Sequence, residues 1–138
     1  MKKLLGAVFG LCLLVGGLVS GRLVRRYVVE GRSMLQAYAP GDRLVVEGLT
    51  YRLRPPRIGE VVVVRWPIGL VRPIESPDID LKRIAAKAGA EVTVRGATDF
   101  LGHDEWYLLG DNLDESTDSR ELGPVKTKDI VGRVWFRY

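Results

Sequence analysis

The residues able to do chemistry in this chain are few. Its single histidine, His103, lies in Gly102-His-Asp104. That segment reads as a tight turn, where an imidazole is ordinarily solvated, so a Ser-His-Asp triad would depend on one poorly placed residue. The single cysteine, Cys12, lies inside an apolar run and allows no internal disulfide. With one histidine, no cysteine pair and acids scattered through turns, a metal site is not expected, and neither is a cofactor. What remains is a nucleophilic serine with a lysine base. A lysine accepts a proton from serine only in its neutral form, and burial favours that form because desolvation disfavours the ammonium. The chemistry therefore calls for a lysine embedded in an apolar strand. Lys82 has that setting: Leu81 precedes it, and Ile84, Ala85 and Ala86 follow. Arg83 beside it goes to the opposite face if the segment is a strand. The alternative is that Lys82 and Arg83 are ordinary surface cations.

Two other segments could complete such a site. Ser33 stands in Glu30-Gly-Arg-Ser-Met34, and the nearby Gly31 gives the backbone freedom to aim amides at a developing oxyanion. A serine in such a loop is also a common turn residue. The stretch Leu109-Gly-Asp-Asn-Leu-Asp-Glu-Ser-Thr-Asp-Ser-Arg120, followed by Gly123, gathers acids, hydroxyls and an arginine at close spacing. It can brace a site through charge-assisted hydrogen bonds. An acidic surface loop or a cation-binding turn is the other reading, although its spacing is not that of an EF-hand.

The elements that must position these residues read as strands. Arg43–Glu47, Glu60–Trp66, Leu81–Lys87, Glu91–Arg95, Glu105–Leu109 and Ile130–Tyr138 are β-branched or alternating runs. Turn signals separate them, among them Pro40-Gly41-Asp42, Pro55-Pro56 and Ile58-Gly59. A loop containing Pro67, Pro73 and Pro77 precedes the Lys82 run. A small, mostly antiparallel β domain of many short strands is the expected architecture.

Ahead of it, Leu4 to about Gly21 is apolar or small and uncharged, with Lys2 and Lys3 just before it. This run is close to the length needed to span a bilayer core. A cleavable signal peptide, a retained membrane helix and a buried core helix compete for it. The absence of a polar face speaks against the last. Lys2 and Lys3 on one side, with Arg22, Arg25 and Arg26 on the other, leave the orientation undecided by charge. The division is thus residues 1–21 as an N-terminal anchor and 22–138 as a β-rich domain. The chain has 138 residues and a net charge of +4, spread widely rather than in a basic stripe. Nucleic acid is therefore not an expected partner, whereas an anionic bilayer surface is.

Taken in order, these segments resemble bacterial type I signal peptidases. Ser33-Met34 followed by Gly41-Asp42-Arg-Leu-Val-Val46 is similar to the family's first signature, and Arg57-Ile-Gly-Glu-Val-Val-Val-Val64 to the next. Leu81-Lys-Arg-Ile84 resembles the base-bearing strand, with Gly89 where the family has a glycine. Gly110-Asp-Asn112, Ser116-Thr-Asp-Ser-Arg120 and Gly123 resemble the last box. The resemblance implies a membrane-bound serine endopeptidase with a small antiparallel β catalytic domain, preceded by one transmembrane helix. Ser33 would be the nucleophile and Lys82 the base. Ser116 would orient the lysine amine, and Asp118 and Arg120 would form a supporting ion pair. The amide of Ser33 would be an oxyanion donor, with Gly31 and Met34 beside it in the oxyanion or substrate pocket. The implied partners are preproteins with signal peptides, cut after small residues at −1 and −3, and the lipid bilayer. The implied location is the outer face of the cytoplasmic membrane, which favours the retained helix. Where the family usually has Pro-Thr-Leu, this chain has Gln36-Ala37-Tyr38. That departure fits a specialised maturation peptidase of the same architecture, of the conjugation or pilus type. An anchored β domain that binds without catalysis is the reading from another class.

Overall fold

The computed structural model describes residues 23–67 and 79–138. The expected anchor over 1–21 and most of the proline-containing loop lie outside the described residues. Among those described, no helix is long and apolar enough to cross a membrane.

The chain folds as a curled antiparallel sheet. Its strands are β1 (Val24–Val28), β2 (Arg43–Glu47), β3 (Val61–Arg65), β4 (Ile79–Lys87), β5 (Glu91–Val94), β6 (Ala97–Phe100), β7 (Glu105–Leu109), β8 (Val125–Lys126) and β9 (Ile130–Arg137). Seven of them form one sheet in the order β1-β2-β9-β3-β4-β7-β8, and β5-β6 is a separate hairpin. The six runs expected from sequence are all strands, within a residue or two at their ends. Three strands were not expected. β1 is an edge strand whose Arg25 and Arg26 are exposed, charges that discourage further strand pairing at that edge. β6 buries nothing, so it carries no apolar pattern; its partner and the turn define it. Arg95 and Gly96 link β5 to β6 with φ of 50° and 79°, the two positive values of a tight hairpin turn. β8 is only two residues long.

The run Val61-Val-Val-Val64 shows why the sheet sits where it does. Val62 and Val64 pack with Trp66, Ile84, Trp106, Leu108, Leu122, Val125 and Ile130. Val63 packs on the other side with Val29, Met34, Leu44, Val46 and Leu81. Alternation thus buries both faces of β3, which is why the sequence there is continuously apolar. β9 passes close to β2 at Gly132, where a Cβ would come within 2.5 Å of the Glu47 carbonyl oxygen.

Candidate active site

β4 carries Lys82 opposite Val62 of β3, with Leu81 opposite Val63 and Arg83 opposite Val61. Lys82 therefore shares the face of Val62, and its side chain is 1% exposed. Arg83 points the other way. Its Nε and Nη2 hold both oxygens of Asp111 at 2.8 and 2.7 Å, and its Nη1 donates to the Gly59 carbonyl at 2.8 Å. The adjacent cations are thus divided as strand alternation expects, one buried and one in a two-pronged surface pair.

Pairing of β4 with β7 ends at Arg83 and Leu109, so Lys82 stands just past the end of β7. There the chain turns through Gly110, and the loop bearing Ser33 closes in. The Asn112 N–H donates to the Ser33 carbonyl at 2.8 Å, and the Asn112 side chain donates to the Arg32 carbonyl at 3.1 Å. Arg32 pairs with Glu115 at 3.2 Å. Met34 anchors the loop from below: it is 1% exposed within the Val29–Leu81 cluster, and such burial contributes about 2 kcal/mol. Held in this way, the Ser33 Oγ lies 2.9 Å from the Lys82 Nζ. That distance serves a proton moving in either direction between them. Among the described residues, the Ser33 N–H donates to no protein acceptor.

Gly31 departs from what its type implied. Its φ is not in the left-handed region, and an added Cβ would meet nothing within 4 Å. What glycine leaves at 31 is open space beside Ser33 rather than an unusual backbone. The glycine that geometry demands is Gly110. An added Cβ there would lie 2.2 Å from Ser116 Oγ and 2.6 Å from the Ser33 carbonyl oxygen. Ser33, Gly110 and Ser116 thus converge with no room for another atom.

Behind them lies a fully buried carboxylate. Asp118 accepts from the Ser116 hydroxyl at 2.8 Å, from the Gly110 N–H at 3.0 Å and from Arg120 Nε at 2.9 Å. Burial works against its ionisation, but the bonds from Arg120, Gly110 and Ser116 outweigh that and hold its carboxyl below the ordinary value. Asp118 also caps the one-turn helix Ser119–Leu122 through the Arg120 N–H. Arg120 reaches the carbonyls of Leu113 and Ser116 as well, so this ion pair braces the 113–120 part of the loop from within.

Of the residues named from sequence, Ser33, Lys82, Met34, Ser116, Asp118 and Arg120 are gathered by these contacts, and Gly31 borders them. Three contributors were missed. Gly110 holds the convergence, the Arg83–Asp111 pair ties β4 to the loop, and Asp80 lies 2.6 Å from Lys82 Nζ. Strand alternation carries the signal for Asp80, two residues before Lys82 and so on its face. Among the described residues no group of His, Cys, Asp and Glu is arranged to hold a metal.

A hydroxyl in contact with a buried primary amine, beside an amide that donates to no protein acceptor among the described residues, suits acyl transfer by a serine hydrolase that uses lysine as base. Comparison with known proteins gives the family. The profile described as "Signal peptidase, peptidase S26" matches residues 1–101 and 96–138. The chain is 30% identical over 141 residues to Signal peptidase I of Bacillus caldolyticus, covering 81% of this chain and 78% of that one. It is 28% identical over 155 residues to Probable signal peptidase I-1 of Synechocystis sp., covering 91% and 79%. It is also 29% identical over 137 residues to Thylakoidal processing peptidase 1, chloroplastic, of Arabidopsis thaliana; there it covers 80% of this chain but spans 40% of the plant protein. This chain belongs to the signal peptidase family, peptidase S26.

Proposed function

We propose that this chain is a membrane-bound serine endopeptidase that removes N-terminal signal peptides from exported preproteins, cutting after small residues at −1 and −3. The observation that carries the reading is the 2.9 Å contact between Ser33 Oγ and Lys82 Nζ, made by a lysine that is 1% exposed. Neutral Lys82 takes the Ser33 proton as Oγ bonds to the scissile carbonyl carbon. The oxyanion forms against the Ser33 N–H. The protonated lysine then gives its proton to the departing amide nitrogen, leaving an acyl-enzyme. Water, deprotonated by the same amine, releases the product and restores Ser33. Ser116 orients the amine through its oxygen while its proton goes to Asp118, and Asp118 with Arg120 holds the supporting loop. Gly31 and Met34 border the pocket that receives the small residues.

Residues 1–21 serve as a retained membrane helix, with the β domain on the outer face of the cytoplasmic membrane. Trp135, Phe136 and Tyr138 are 61%, 47% and 54% exposed near the C-terminal end of β9. Such an aromatic group suits the membrane–water interface and supports a domain that rests on lipid.

The test is cleavage, in detergent, of several unrelated preproteins bearing Ala-x-Ala sites, with N-terminal sequencing of the products. A single cut directly after the second alanine in each is the expected outcome. Cleavage of none overturns the reading, and cleavage of only one makes the enzyme a specialised maturation peptidase.

A further inference from the structure

Lys82 has a closer charged neighbour than Ser33, and the steps above do not use it. Asp80 Oδ2 lies 2.6 Å from Lys82 Nζ, against 2.9 Å for Ser33 Oγ. The two residues stand two apart on β4, opposite Val64 and Val62, so alternation sends both side chains to one face. The other carboxylate oxygen, Oδ1, accepts the Leu81 N–H at 2.9 Å, which fixes the orientation of the Asp80 side chain. Asp80 is 20% exposed while Lys82 is 1% exposed, so the carboxylate is the more open member of the pair.

Among the described residues, other polar groups come from the neighbouring elements. Ser33 comes from the loop after β1. Tyr27 of β1 has its phenol pushed up to about 12, by burial first and then by the charges of Asp80 and Glu30. From the loop after β7, Ser116 and Arg120 both engage Asp118. Arg83, on the opposite face, engages Asp111. Asp80 is a carboxylate in direct contact with the amine.

We propose that Asp80 is a positioning residue for Lys82, a third member of the site that orients the amine and stabilises the ammonium formed during the reaction. This rests on the Ser33/Lys82 reading above. When Ser33 Oγ bonds to the carbonyl carbon, its proton moves to Nζ, and the new positive charge arises beside a carboxylate already in place. The ammonium later surrenders that proton to the leaving nitrogen, and Asp80 itself exchanges no proton. The geometry parallels the aspartate that steadies the imidazolium in a Ser-His-Asp triad. The carboxylate has an opposite effect before reaction: it favours the ammonium over the neutral amine that must act as base. Asp80 therefore speeds the reaction once the amine is free and delays its freeing to higher pH.

The experiment is the pH profile of kcat/KM for wild type, Asp80→Asn, Asp80→Glu and Lys82→Met on one Ala-x-Ala peptide, with the Tm of each. In Asp80→Asn the acid limb moves to lower pH by about one to three units, while the rate on the plateau falls by at least about tenfold. Asp80→Glu restores the limb toward wild type, which a purely structural role would not do. If Asp80→Asn melts below the assay temperature, Asp80→Ser supplies the same comparison. A dead Lys82→Met beside an Asp80→Asn profile that overlays wild type overturns the role of Asp80 and leaves the Ser33/Lys82 reading standing. A Lys82→Met enzyme that still cuts removes both.

Discussion

The amine of Lys82 and the hydroxyl of Ser33 are 2.9 Å apart although 49 positions separate them in the chain. Neither is placed by its own segment alone. Lys82 is fixed by the register of β4 between β3 and β7. Ser33 is fixed by the buried Met34 and by the bond from the Asn112 N–H to its carbonyl. The meeting of two independently anchored elements accounts for the sensitivity expected at residues that touch no substrate.

Gly110→Ala is the sharpest case. Its backbone is not left-handed, so alanine brings no conformational strain, but the new methyl collides with Ser116 Oγ and the Ser33 carbonyl oxygen. Relief requires Ser33 to shift, and a displacement of about 1 Å in such a site costs on the order of 100-fold. Steady-state kinetics should show kcat falling far more than the modest loss in Tm accounts for. Unchanged kcat would mean that the loop yields without moving Ser33.

Gln36 sits at φ 89°, a conformation costly for any residue with a Cβ. Gln36→Gly should raise stability by up to about 1 kcal/mol in chemical denaturation. Gln36→Pro, which restores the residue usual in the family, forces φ near −65° and should destabilise the loop by about 3 kcal/mol. A stabilising proline would show that this turn readily takes another form.

The carboxyl of Asp118 is held below its ordinary value, burial being outweighed by its bonds to Arg120, Gly110 and Ser116. Its folded pKa thus lies under its unfolded one, about 3.9. The stability it contributes is present above that value and is lost as pH falls through the folded pKa. Asp118→Asn should cost about 3 kcal/mol near neutral pH. The gap from wild type should narrow below about pH 4 in urea titrations. A gap independent of pH would show that the charge of Asp118 does not matter.

Most of the sheet was legible because its strands alternate or run continuously apolar, as Arg43–Glu47 and Val61–Arg65 do. β6 was not, since its four residues are all exposed and only pairing with β5 makes it a strand. The apolar neighbours of Lys82 suggested its burial without excluding a surface cation, and the Asp118–Arg120 pair came from the family resemblance rather than from the polar box alone. Asp80 was overlooked because an acid at a strand's start looks like surface. Its meaning depends on alternation placing it with Lys82 rather than with Arg83. Gly110 was visible only as part of the Gly110-Asp-Asn112 motif, whereas the steric demand on it comes from Ser33 and Ser116, which only the folded chain brings there.

The central claim is that Ser33 and Lys82 act as one unit. Its most direct test is cleavage of a preprotein with an Ala-x-Ala site by wild type, Ser33→Ala and Lys82→Met, each confirmed folded by its Tm. Lys82→Met keeps the volume of the buried chain while removing its amine, so the fold is retained. Both variants should lose the single correct cut by about 10⁴-fold or more, and the double variant should be no worse than either. A folded Lys82→Met enzyme that cuts at the wild-type rate would contradict the account and return His103 to consideration as the base.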